Sequence, residues 1–228
     1  METSGYNDIA ARIRRLPGLP GEVRLVAIDG CGGAGKTTLA LGLSAALGDC
    51  PVLHTDDFAS WDHQLDWWPR MLLEALEPLS RGERAIFRRY DWDARGIGAK
   101  VIVEPESVVI VEGVSAGRIE WAHLLAFLIW VDTPRELRLR RGLERDGEQY
   151  LPLWHQWMAG EDDYVARDRP DYRADLVVDG VDNGGSEGRG PAALDSARPA
   201  AITAAACNRP GVRVSRSIGP DTDTAATT

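Results

Sequence analysis

The stretch VAIDGCGGAGKTTLALGL, residues 26–43, decides the reading of this chain. An apolar run leads into a loop of the form G-x-x-x-x-G-K-[ST], here Gly30-Cys31-Gly32-Gly33-Ala34-Gly35-Lys36-Thr37. Leu39 and Leu43 then begin a helical pattern that continues through Ala46 and Leu47. Glycines let the backbone N–H groups of such a loop turn inward on a phosphate, and the start of the following helix adds favourable partial charge. Lys36 can bridge the β- and γ-phosphates, while the Thr37 hydroxyl can ligate Mg²⁺. The motif sits between a strand pattern and a helix pattern, which is the context it needs. The expectation is a site for ATP with Mg²⁺, built from Gly30, Gly32, Gly33, Ala34, Gly35, Lys36, Thr37 and Thr38.

Working outward, further apolar runs of strand length occur at 51–55, 107–113, 126–133 and 174–180, with helical patterns between them. Alternation of this kind predicts an α/β three-layer sandwich with a five-stranded parallel sheet. Ligands of such sheets gather beyond the carboxyl ends of the strands, so the residues after each run are the functional candidates. Residues 8–16 predict a helix and, with the PGLPG break, make 1–21 an N-terminal helix and linker. Residues 22–180 form the working domain. Of the 48 residues in 181–228, 29 are Ala, Gly, Pro, Ser or Thr and none is aromatic. That composition has too little apolar surface to offset ordering, and the expectation is a disordered tail.

The net charge of −9 argues against non-specific binding to nucleic acid or to an anionic membrane. The polar start METSGYNDIA does not read as a leader, and no apolar run reaches the roughly 18 residues of a membrane span. Cys31, Cys50 and Cys207 are scattered, which suits a reducing cytoplasm better than a disulfide framework. Cys31 lies inside the glycine loop, so an accessible thiol is one reading and a small filler residue the other.

The second strand runs into Thr55, Asp56, Asp57 and Phe58. A carboxylate there would face the γ-phosphate and could accept the proton of an attacking hydroxyl, a role that falls to Asp56, or hold a metal-bound water. Asp57 reads as structural. Glu112 follows four apolar residues and could hold water on Mg²⁺. After the fourth strand, Arg138, Arg141 and Arg145 share one helix face at i, i+3 and i+7. Positive charge over the nucleotide would neutralise the transition state and exclude water, making 134–148 a candidate lid with Arg138 and Arg141 as catalytic candidates. A solvated face paired with Glu136 and Glu144 is the alternative.

About 50 residues separate the second and third strands, and this insertion (about 57–105) carries Trp61, Trp67, Trp68 and Trp92, four of the eight tryptophans. Aromatic faces suit a ring-bearing acceptor, although Trp67 and Trp68 read better as core.

The order of these motifs resembles the uridine kinase and phosphoribulokinase group over roughly residues 22–180. The counterparts are Lys36-Thr37, Asp56-Asp57-Phe58, Trp61-Asp62-His63 through Asp66-Trp67, Gly82 to Ile86, Tyr90-Asp91-Trp92, Glu112-Gly113 and Val131-Asp132-Thr133. The resemblance implies phosphoryl transfer from ATP to the 5′-hydroxyl of a nucleoside such as uridine or cytidine. Asp56 would be the base, Tyr90 and Trp92 would line the nucleoside pocket, and Asp62 or Asp91 would bind ribose hydroxyls. Phe58 and Arg95 complete the implied substrate site. Ala59 stands where the family pattern has tyrosine, and Arg95 lies near the place of a missing histidine. Two alternatives remain at this point: another hydroxyl acceptor (a different riboside, a sugar or an antibiotic), and a nucleotide-binding regulatory module without turnover. A homo-oligomer is compatible with the chain.

Overall fold

The run Arg24–Asp29 forms β1, with every residue after Arg24 buried, as expected of a strand covered on both faces. In this computed structural model, residues 3–61, 64–181 and 212–213 are described. Before β1 comes helix α1 (Thr3–Arg14); after it come α2 (Lys36–Ala46) and β2 (Val52–His54). Next are α3 (Trp68–Met71), α4 (Glu77–Ser80), β3 (Ala85–Asp91), β4 (Gly96–Val103) and β5 (Val108–Glu112). The chain continues through β6 (Leu125–Asp132), α5 (Arg135–Asp146), α6 (Leu151–Asp168), α7 (Pro170–Arg173) and β7 (Leu176–Asp179).

The five expected strands assemble in the order β2-β5-β1-β6-β7, all parallel. Two apolar clusters cover the faces. One packs α1 and α2 against the sheet through Ala10, Ile13, Leu39 and Leu43. The other joins Leu25, Val109, Val111 and Leu128 to Trp67, Met71, Leu76 and Trp121. The result is a three-layer α/β sandwich around a five-stranded parallel sheet. Among the described residues no helix is long and apolar enough to cross a membrane.

The insertion differs from a plain crossover. It contains an antiparallel hairpin, β3 with β4, and buried Ala85 and Phe87 alternate with exposed Ile86 and Arg88. A proline ordinarily ends a helix at the residue before it, yet the helical stretch before the hairpin passes through Pro78. It runs on to Ser80, because a wide π turn over Leu72–Leu76 precedes the proline. Widening the helix there accommodates the missing N–H and the ring's clash with the preceding turn. The tail 182–228 falls outside the described residues except for β8 (Val212–Arg213), which pairs with β4.

Candidate functional site

The phosphate loop leaves β1 at Asp29, which is fully buried. Its carboxylate accepts the N–H groups of Gly30 (2.7 Å), Ser115 (3.0 Å) and Gly117 (2.9 Å), together with the Tyr164 hydroxyl. One side chain thus ties the loop's first residue to the segment after β5 and to α6. Burial pushes this carboxyl upward, against the hydrogen bonds of Tyr164, Gly117 and Gly30. The sequence reading passed over Asp29. Its signal was a charge closing an apolar strand immediately before the loop.

Within the loop, Gly33 adopts φ +77°, and a Cβ there would lie 2.5 Å from the Arg138 carbonyl oxygen. Only glycine meets both demands without strain. Lys36 Nζ donates to the Cys31 carbonyl at 2.9 Å, which holds the ammonium across the loop. Thr37 Oγ1 donates toward Glu112, 3.3 and 3.5 Å from its two carboxylate oxygens. His54 Nδ1 lies 2.7 Å from Glu112 Oε1. Burial opposes the charged forms of both, yet their mutual attraction prevails: His54 rises to about 9 and Glu112 falls below the usual carboxylate range.

A cleft of about 200 Å³ opens over the loop, walled by Gly32, Gly33, Gly35, Lys36, Thr37, Thr38, Asp56, Glu112, Arg141 and Arg145 among others. Gly30 and Ala34 shape the loop from behind, with the Ala34 carbonyl accepting the Thr133 hydroxyl at 3.0 Å. Beside the cleft lies a narrow second cavity of about 40 Å³, whose walls include Ala59, Leu65, Trp67, Trp92, Trp157 and Glu161. Asp56 and Val114 belong to the walls of both. Burial, and then the charge of Glu112, push the Asp56 carboxyl up to about 7. A carboxyl so placed, between a phosphate loop and a partly open cavity walled by indoles, is suited to taking a proton near neutral pH.

The other candidates are distributed around these two spaces. Arg141 and Arg145 reach the phosphate cleft, and Arg141 also donates to the Gly180 carbonyl at 3.1 Å. Arg138 is buried behind the loop. It pairs with Glu161 (3.2 Å), donates to the Thr133 carbonyl (3.1 Å), and borders a separate surface cavity shared with Cys31, Asp132 and Arg169. Cys31 is 8% exposed and its thiol is pushed up to about 12, first by burial and then by Glu161, so the filler reading holds over the accessible one.

On the acceptor side, Trp92 lines the cavity and Tyr90 stacks edge-on behind it, with ring centres 5.1 Å apart. Phe58 is a core residue packed on Phe87 at 4.5 Å. Arg95 lies over the face of Trp61 at 5.1 Å, and the Asp91 carboxylate caps its own turn through the N–H groups of Asp93 and Ala94. Asp62 lies outside the described residues.

Sequence reasoning missed Glu161 and Trp157. Both come from α6, whose buried stripe is Trp154, Trp157, Glu161, Tyr164 and Asp168. A glutamate on an otherwise aromatic helix stripe was the available signal. Glu161 Oε1 accepts the Gly32 N–H at 2.8 Å, so α6 reaches the phosphate loop directly. Burial pushes this carboxyl upward, opposed by the Gly32 hydrogen bond and by Lys36 and Arg138.

The donors at the loop fit Mg²⁺ that shares its coordination with phosphate. Among the described residues no cluster of three His, Cys, Asp or Glu side chains could cage a metal alone. The Thr37 hydroxyl and the Glu112 carboxylate converge at the cleft, and these two groups would hold the ion there.

Comparison with known proteins bears on the family and the fold. A uridine kinase of Halobacterium salinarum is 28% identical over 138 residues, covering 53% of this chain and 61% of that protein. One from Borrelia duttonii is 24% identical over 139 residues, covering 54% and 68%. The chain therefore matches about three-fifths to two-thirds of these relatives' lengths. The solved structure of a possible uridine kinase from Bacillus stearothermophilus superposes with a TM-score of 0.60 at 23% identity. The superposition covers 78% of this chain and 100% of that one. The profile of the Phosphoribulokinase / Uridine kinase family matches residues 65–183, just over half of the sequence. The chain belongs to the phosphoribulokinase/uridine kinase family.

Proposed function

We propose that this protein transfers the γ-phosphoryl group of ATP to a hydroxyl of a small nucleoside-like acceptor, with the 5′-hydroxyl of uridine or cytidine the first candidate. The observation that carries the reading is the position of Asp56 in the shared wall of the phosphate cleft and the aromatic cavity. An acceptor in that cavity would present its hydroxyl to a carboxyl whose affinity for protons is matched to the task.

The loop amides and Lys36 would hold the phosphates in line with the acceptor. Thr37 and Glu112 would hold Mg²⁺, which when bound supplies positive charge across the phosphate oxygens. Arg141 and Arg145 border the same cleft and would neutralise charge developing in transfer. Asp56 would take the hydroxyl proton as the bond to phosphorus forms. Arg138 would act through Glu161 and the loop, since it lies behind them. The uridine kinase relatives support this reading at the level of the family, and the local geometry supports it at the level of the atoms.

The test is ADP release from Mg·ATP in the presence of nucleosides, other ribosides and sugars. Stimulation by uridine or cytidine is expected. Asp56→Asn should abolish acceptor-dependent release while ATP binding persists. Near-normal turnover by that variant would remove the base assignment. Bound ATP with no stimulation by any compound would instead favour a regulatory module.

A further inference from the structure

The backbone at Glu112 is fixed from both sides. It is in register with Ile28 of β1 on one side and with His54 of β2 on the other. The next residue, Gly113, donates its N–H to the Ile28 carbonyl at 3.2 Å and turns at φ +139°. A Cβ there would collide with the Thr55 hydroxyl, so the turn closes tightly on the residue after β2. What the backbone does not fix is the carboxylate, which ends a chain of three rotatable bonds. Holding such a group in one place costs conformational entropy.

His54 supplies the hold. Strand neighbours in register project to the same face of a sheet, and His54 Nδ1 meets Glu112 Oε1 at 2.7 Å. Two lone pairs would repel at that distance, so Nδ1 carries the proton whichever charge state the ring is in. With Oε1 engaged by His54 at 2.7 Å and by Thr37 at 3.3 Å, Oε2 keeps the weaker tie, 3.5 Å to the same hydroxyl. That division makes Oε2 the oxygen more available to a cation or its water. The histidine side chain is 19% exposed and is not among the residues that wall the phosphate cleft, whereas Glu112 is. His54 therefore reaches the cleft through Glu112.

We infer that His54 is a positioning residue: its Nδ1–H holds Oε1 of Glu112 and sets the carboxylate in place for Mg²⁺ before nucleotide and metal arrive. The inference rests on the kinase reading above, in which Thr37 and Glu112 hold the ion. It adds the side chain that makes Glu112 ready to do so. Hydrogen-bond partners of a metal-binding carboxylate commonly set metal affinity in this way, because they remove the cost of ordering it.

The experiment uses the full-length protein and two probes, ADP alone and Mn²⁺ in the presence of ADP. Calorimetric titration reads the first, and the spin resonance of free Mn²⁺ reads the metal held by the complex of protein and ADP. His54→Leu removes the donor and keeps the bulk, while His54→Asn keeps an N–H near the place of Nδ1. In His54→Leu the Mn²⁺ dissociation constant should rise about tenfold, with ADP alone changed less than about twofold. In His54→Asn most of the Mn²⁺ affinity should return. Unchanged Mn²⁺ affinity in His54→Leu, an equal loss in both variants, or an equal loss for ADP alone overturns the inference. Should His54→Leu fail to fold, His54→Gln takes its place, since its N–H lies one bond too far out. Glu112→Gln separates the two readings. If it leaves Mn²⁺ affinity unchanged, the metal placement fails and this inference with it. A loss in Glu112→Gln without one in His54→Leu overturns this inference alone.

Discussion

Gly32 donates its backbone N–H to Glu161 Oε1 at 2.8 Å, across 129 positions of sequence. The other carboxylate oxygen of Glu161 pairs with Arg138 Nη1 at 3.2 Å, and both side chains are 8% exposed. A single buried carboxylate therefore joins the phosphate loop, α5 and α6 while forming part of the wall of the aromatic cavity.

Removing it should be expensive. Glu161→Ala leaves the Arg138 charge buried without its partner and the Gly32 amide unpaired, and should destabilise the protein by about 3–5 kcal/mol. Glu161→Gln keeps an oxygen for Gly32 and should lose less. Denaturant unfolding of the two variants separates these contributions; equal losses would mean that the loop hydrogen bond adds nothing.

The pH dependence of turnover follows from Asp56. The carboxyl accepts a proton only when ionised, and its folded-state pKa is raised to about 7. Acceptor kcat/KM should therefore rise with pH through about 7 and level off above it, because this ratio reports the free protein. In Asp56→Asn the rate should fall about 100-fold or more and that limb should disappear. A wild-type midpoint near 4, the ordinary value for aspartate, would show that the burial seen here does not act on the reacting group.

Gly33→Ala tests the loop geometry. The substitution places a Cβ at φ +77° and 2.5 Å from the Arg138 carbonyl oxygen, so backbone strain adds to a collision with α5. A stability loss of about 2 kcal/mol or more is expected, together with weakened ATP binding. Calorimetric titration with ATP would measure the second effect; unchanged affinity would show that the loop tolerates displacement.

Cys31 and Cys50 should resist alkylation. Their thiols are pushed up to about 12 and about 11, chiefly by burial, so little thiolate exists at pH 8. Peptide mapping after iodoacetamide treatment should show neither residue modified until denaturant is added. Rapid labelling of Cys31 in the native protein would reveal that the loop opens readily.

The strands, the phosphate loop and the positions of Asp56 and Glu112 were legible because each depends on local pattern. A buried parallel strand is a short apolar run, and a loop at its carboxyl end lies next to the site by topology. The β3–β4 hairpin was less legible. Ala85 and Phe87 alternate with Ile86 and Arg88, but the period lasts only a few residues before the register shifts between Arg88 and Tyr90. The passage of the helix through Pro78 was not legible for a different reason: the π turn that accommodates the proline has no local sequence marker.

By itself, the sequence determined the sheet, its phosphate loop and the acidic residues at the strand ends. Glycine permissiveness, apolar periodicity and strand-end placement act over a few neighbouring residues. Only the tertiary structure decided what surrounds Asp56 and the aromatic cavity. It set Phe58 in the core, placed Tyr90 behind Trp92, turned Arg138 onto Glu161, and brought Trp157 and Glu161 of α6 to the cavity shared with Asp56. Those relationships arise where a helix packs against the carboxyl end of the sheet, and contacts made by packing between distant segments leave no fixed spacing in the chain.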